Sequence, residues 1–205
     1  MNPEQANRLF QASLLAFAAV SAAAAAGLLY PLDRWLLGLA QTRPAEVLDR
    51  AGAFFSTLGD VEYTVPAFVA LALTLYLRGR RSLAWRLLAA FAVTGIIELA
   101  MKLWLPTPPM PEETARSTDP NPVVEIDYAY PYPSGHMLRL TLLTCLIYAL
   151  WPNRVVRTIL LLLLAGMAAT RVYLGVHWAS DLLGGALLGV AGIAWTLRKK
   201  GVAAE

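Results

Sequence analysis

Several apolar runs, each long enough to cross a bilayer, dominate this chain of 205 residues and constrain its fold more than any other feature. A crossing takes about 20 residues of helix, and the hydrocarbon interior supplies no partner for an unpaired amide or carbonyl. With 58% apolar residues and a mean hydropathy of +0.53, the chain falls outside the range of soluble domains. The expectation is an all-α, polytopic membrane protein forming a single domain over residues 1–205.

Six runs qualify as spans. The first, Leu9 to Tyr30, is alanine-rich. It exceeds the usual core of a signal peptide and is preceded only by Arg8, so it reads as an uncleaved helix. The second is Val61 to Leu77, with Pro66 near its start, where a missing donor costs least. The third, Leu87 to Leu105, is interrupted by Glu98 and Lys102. The fourth runs from Met137 to Leu150 and opens at Ser134, and the fifth covers Val155 to Tyr173. The sixth, Trp178 to Leu197, carries Gly184, Gly185, Gly189 and Gly192 at spacings that favour close helix packing. Between the first two spans, Leu32 to Asp60 mixes charges with large apolar residues, as expected of an interfacial helix. Pro106 to Pro133 is a long irregular loop bearing Glu112, Glu113, Asp119, Glu125 and Asp127. Tyr128, Tyr130, Tyr132, Trp104 and Trp178 read as interfacial anchors.

A net charge of +3 and a pI near 9.2 would suit a nucleic-acid partner if the charge were clustered on one surface. Instead Arg8, the Arg78–Arg86 cluster, Arg154, Arg157 and the Arg198–Lys200 run all fall on the side shared by the termini, while nearly all the acids fall on the other. Cytoplasmic loops carry the excess of Lys and Arg. The basic balance is therefore a topology signal: cytoplasmic termini in a bacterial-type inner membrane, outward-facing 106–133 loop, no nucleic acid. Cys145, the sole cysteine, sits within an apolar run, which excludes an intramolecular disulfide and a cysteine-based metal site.

Charge inside such a chain is costly and marks function. Three ionisable groups of residues converge on the outer edge: Lys102 ends the third span, Ser134-Gly135-His136 opens the fourth, and Arg171, His177 and Asp181 bracket the turn between the last two. His177 and Asp181 are at i and i+4, and can meet on one helical face. Arg171 converges on them only if the chain turns at Leu174-Gly175. Cations and helix N-terminal amides suit a phosphate. A histidine held by an aspartate suits nucleophilic attack, and a second histidine suits proton donation to a leaving oxygen.

Pro133-Ser134-Gly135-His136 and Arg171-(five residues)-His177-(three residues)-Asp181 resemble the second and third signature motifs of the type 2 phosphatidic acid phosphatase (PAP2) superfamily. These membrane lipid-phosphate phosphatases share a fold with vanadium haloperoxidases. The resemblance spans most of the chain. It implies that His177 forms a phosphohistidine, that Asp181 orients it, and that His136 protonates the leaving group. It also implies that Lys102, Ser134, the Gly135 amide and Arg171 hold the phosphate oxygens. It implies neither metal nor other cofactor. Thr170 stands where the third motif usually has serine, which keeps the hydroxyl.

The first motif departs further. The family pattern is a lysine, six residues, then Arg-Pro, whereas counting from Lys102 gives Pro109-Met110. Arg116 and Arg139 are the candidates to replace the missing arginine. Arg139 lies one turn deeper than His136, as Glu98 lies one turn deeper than Lys102, and a Glu98–Arg139 ion pair at matched depth is the preferred reading. The substrate implied is a lipid phosphate: an isoprenoid pyrophosphate, phosphatidic acid or phosphatidylglycerol phosphate, with water as acceptor. A phosphotransferase with an alcohol acceptor, or a weakly catalytic lipid-phosphate binding or transport protein, is the alternative.

Overall fold

A computed structural model describes residues 1–116 and 128–198. Asp119, Glu125 and Asp127 of the acidic loop, and Lys199 and Lys200 of the last basic run, lie outside them. The described residues are helical apart from loops and turns. The order is α1 (Pro3–Ala25), α2 (Tyr30–Ala40), α3 (Glu46–Gly59), α4 (Val61–Leu77), α5 (Arg81–Trp104), α6 (Gly135–Leu150), α7 (Arg154–Tyr173) and α8 (Ala179–Leu197).

Four of these, α1, α5, α7 and α8, are long and apolar enough to cross a membrane. The pair α3 and α4, bent by 44° at Asp60, passes the same test jointly, while α6 has 16 residues and falls short of it. Where six spans were expected, the described residues show four straight helices and one broken pair that qualify, with α6 a shorter apolar helix beside them. The single interfacial helix expected over 32–60 is two helices instead. Pro44 disfavours helical geometry in Arg43 and breaks the run. The second of the two does not lie apart from the bundle: Phe55 packs so closely on Gly166 of α7 that a Cβ there would meet its ring at 2.2 Å.

The core is built around α8. Of its apolar window 72% is buried, against 22–28% in α1, α5 and α7. Its glycines explain how neighbours come so close. A Cβ on Gly185 would fall 2.4 Å from the Ser134 carbonyl, and one on Gly189 would fall 2.8 Å from Thr141 of α6. Gly192 admits Leu142 and Thr94 in the same way. Phe68, Leu87, Leu138, Leu142, Leu146 and Leu188 fill the interior between α4, α5, α6 and α8.

Three residues end up elsewhere than expected. Arg86 is not in the basic loop but inside α5, where its guanidinium donates to the Trp195 carbonyl and stacks on that indole at 4.9 Å. The backbone carbonyls at the end of a helix lack partners within it, and a guanidinium satisfies them. Tyr132 and Trp178 are buried rather than interfacial. The Tyr132 hydroxyl pairs with Ser21 Oγ at 2.9 Å, and Trp178 Nε1 donates to the Pro108 carbonyl at 2.8 Å. Each polar tip finds a partner in the loop or in α1, so each ring goes inside.

Candidate active site

The turn between α7 and α8 organises the site. Gly175 has φ +68°, and a Cβ on it would fall 2.2 Å from the Thr114 carbonyl, so only glycine fits. The reversal brings Arg171, at the end of α7, to the same side as His177, which precedes the N-cap of α8. Asp181 lies in the first turn of α8. Its Oδ2 accepts the Trp178 amide at 2.9 Å and faces His177 Nδ1 at 3.2 Å. The carboxylate thereby favours the tautomer with the proton on Nδ1 and leaves a lone pair on Nε2. From α2, the buried Asp33 accepts both the amide of Ser180 at 2.9 Å and its hydroxyl at 2.6 Å, which anchors the start of α8 a second time. The Asp181 carbonyl in turn accepts the Ser134 amide at 3.0 Å and so ties the start of α6 to that of α8.

Helix α6 begins at Gly135 with Ser134 as its N-cap. His136 and Arg139 follow on one face, at i and i+3. Arg139 donates to the Gly59 carbonyl at 3.0 Å and approaches Glu98 at 3.5 Å. Glu98 also meets Lys102, at 3.1 Å along α5. The ion pair expected between Glu98 and Arg139 is present, and the same carboxylate spans both cations. All three side chains are nearly buried, and at that depth an isolated charge is costly.

Glu98, Lys102, His136, Arg139, Arg171 and His177 line one cavity of about 560 Å³. Three cations and two imidazoles from four segments of the chain therefore face a common space. Pro109 and Met110, at the positions of the missing Arg-Pro, also reach this cavity but bring no charge. Tyr128 covers it, with Lys102 Nζ 4.1 Å from the ring centroid. Ser134 is fully buried below it, with its Oγ 3.5 Å from the Met137 amide. Gly135 lies directly under Glu98, whose Oε1 would be 2.0 Å from an added Cβ.

Of the two replacement candidates, Arg139 lines the cavity and Arg116 does not. Arg116 forms a fork on Asp49 with two contacts of 3.1 Å and stacks on Tyr173 at 5.2 Å. Its amide donates to the Leu174 carbonyl at 2.8 Å, so it clamps the loop onto the α7 end.

Helix α3 and its end contribute three groups absent from the sequence reading. Ser56 accepts Arg171 Nη1 at 2.7 Å, the Gly59 carbonyl accepts Arg139, and Asp60 Oδ1 is 2.8 Å from His136 Nε2. A signal was present in the small residues Gly52, Ser56 and Gly59, all buried, which mark a packing face and not a solvated one. His177 sits in the turn outside both helices. Burial, and the positive charges of Arg171 and Lys102, hold its imidazole well below the usual range, so the ring is neutral near pH 7.

A helical membrane fold with two histidines, three cations and a carboxylate-held imidazole in one cavity has the parts for phosphoryl chemistry. The chain belongs to the PAP2 superfamily, whose model matches residues 83–203, more than half its length. Among solved structures, the fold is similar to that described as "the first transmembrane PAP2 type phosphatidylglycerolphosphate phosphatase from Bacillus subtilis". The TM-score is 0.71 over 89% of this chain and 91% of that one, at 20% identity, so the likeness concerns the fold. No curated protein matches the chain.

Proposed function

We propose that the protein is a multi-pass membrane phosphohydrolase that removes phosphate from a lipid phosphate monoester or pyrophosphate through a phosphohistidine on His177. The observation that carries this reading is the His177–Asp181 contact of 3.2 Å beside a cavity lined by Lys102, Arg139 and Arg171. Nε2 of His177 attacks phosphorus, and Asp181 stabilises the charge that develops on the ring. Lys102, Arg171 and Arg139 neutralise the phosphoryl oxygens, with Arg139 taking the part of the missing first-motif arginine. The Gly135 amide, at the α6 N-terminus, supplies a further donor when Glu98 yields its place, and Ser134 sets the geometry of that terminus. His136 protonates the leaving oxygen, and water then cleaves the P–N bond.

In the proposed topology α1, the α3–α4 pair, α5, α6, α7 and α8 cross the bilayer, with α2 at the interface, the termini cytoplasmic and the cavity outward. The charge asymmetry of the loops supports this orientation. The test is phosphate release from an isoprenoid pyrophosphate, phosphatidic acid and phosphatidylglycerol phosphate, each in EDTA and without added alcohol. Turnover of at least one that persists in EDTA and falls by about 10³-fold or more in His177→Ala is expected. Binding without turnover, unchanged in that variant, would instead identify a lipid-phosphate binding protein.

A further inference from the structure

His136 is held by a carboxylate that belongs to none of the three motifs. Asp60 sits at the break between α3 and α4, and its Oδ1 lies 2.8 Å from His136 Nε2. An aspartate at a helix N-cap ordinarily accepts an amide of the first turn. Asp60 occupies the N-cap of α4 yet makes no such bond; its carboxylate is turned to the imidazole instead. The place is prepared for it. Gly59 lets the ring approach so closely that a Cβ would fall 2.7 Å from its Cδ2, and the Gly59 carbonyl fixes Arg139 at 3.0 Å. With Nε2 engaged, Nδ1 is the nitrogen left on a ring that lines the cavity, and it has no hydrogen-bond partner among the described residues.

We propose that Asp60 is a positioning residue for proton transfer, forming with His136 a second Asp–His pair that leaves Nδ1 to serve the departing oxygen. The inference rests on the phosphohistidine reading above. The geometry is the mirror of the first pair: Asp181 holds Nδ1 of His177 and leaves Nε2, whereas Asp60 holds Nε2 of His136 and leaves Nδ1. In the first step His136 is an imidazolium, with Nε2–H on the Asp60 carboxylate and Nδ1–H toward the ester or anhydride oxygen. As His177 Nε2 bonds to phosphorus, the P–O bond breaks, its electron pair goes to the leaving oxygen, and that oxygen takes the Nδ1 proton. In the second step Nδ1 takes a proton from water as its oxygen attacks phosphorus. The P–N pair then returns to His177. Arg171 from α7, Arg139 from α6 and Lys102 from α5 line the same cavity as this ring. Asp60 is the carboxylate bonded to it, and together with the incoming phosphate it brings negative charge to balance those three cations.

The experiment compares Asp60→Asn with wild type on the best lipid phosphate of the panel and on its analogue with sulfur at the bridging position. A thiolate leaves without a proton, so the analogue is indifferent to general acid catalysis. Asp60→Asn is expected to lower kcat on the oxygen ester by roughly 10–100-fold and on the sulfur analogue by less than about threefold, with Asp60→Glu restoring part of the loss. Asparagine and serine are both good N-caps, so Asp60→Ser repeats the comparison if Asp60→Asn does not yield folded protein. Equal losses on both substrates, or no loss on either, overturn the assignment. His177→Ala separates the two readings. If it abolishes turnover of both substrates while Asp60→Asn slows them equally, the phosphohistidine reading stands and Asp60 is merely structural. If His177→Ala leaves turnover intact, the reading beneath the inference fails as well.

Discussion

At the scale of single residues, the site depends on which groups carry charge before substrate arrives. Burial and the cations Arg171 and Lys102 keep the His177 imidazole neutral below its ordinary value of 6.5. Lower pH protonates a nucleophile and removes its lone pair, so an acid limb due to His177 lies below that value. A profile of kcat/KM against pH is expected to show no acid limb from His177 at its ordinary imidazole value. An acid limb centred at or above the ordinary imidazole value would contradict this. Glu98 is a second decisive residue, because one carboxylate meets both Lys102 and Arg139. Removing its charge leaves two buried cations facing each other, which costs on the order of 3–5 kcal/mol. Glu98→Arg and Arg139→Glu are each expected to reduce the yield of folded protein, measured by size-exclusion chromatography in detergent, and the double reversal to recover it in part.

At the scale of elements, the contact of α6 with α8 decides whether the two motifs share a cavity. The Ser134 amide donates to the Asp181 carbonyl at 3.0 Å, and the Ser134 carbonyl lies where a Cβ on Gly185 would sit. Gly185→Ala must therefore push the start of α6 outward. Overpacking of this kind costs about 1–3 kcal/mol. The effect on chemistry is expected to exceed the effect on stability, because His136 and the His177–Asp181 pair move apart together. Thermal unfolding in detergent and kcat, measured on the same preparation, check this; a loss of stability with kcat intact would mean the register of α6 and α8 has slack. Helix α3 matters at this scale too. It brings Ser56, Gly59 and Asp60 against three cavity side chains, just before and at its 44° break with α4.

At the scale of the whole molecule, the orientation can be tested with the chain's own economy of thiols. Cys145 is the sole cysteine, so a Cys145→Ala background is free of labels. Single cysteines at Glu113 and at Arg154 are expected to react with a membrane-impermeant maleimide from opposite sides of right-side-out vesicles, the former from outside without lysis. Labelling of both from one side would break the proposed arrangement of crossings.

The amino-acid sequence by itself determined the helical membrane class, because runs of bilayer length leave the backbone few other options. It also determined the motif residues and the Glu98–Arg139 pair, since charges at matched depth in neighbouring helices have few other partners. The turn at Leu174-Gly175 was legible for a comparable reason: three polar residues meet there only if the chain reverses. What only the tertiary structure decided is where the polar residues between α1 and α4 go. Read locally, the 32–60 segment is amphipathic and suits an interface. Yet Pro44 divides it, and its small residues let α3 pack on α7, so Ser56 meets Arg171 and Asp60 meets His136. Tyr132 and Trp178 are buried for a related reason: Ser21 and Pro108, which satisfy their polar tips, are 111 and 70 residues away in sequence. Local pattern encodes which face is apolar, whereas partners so distant along the chain exist only once the helices have packed.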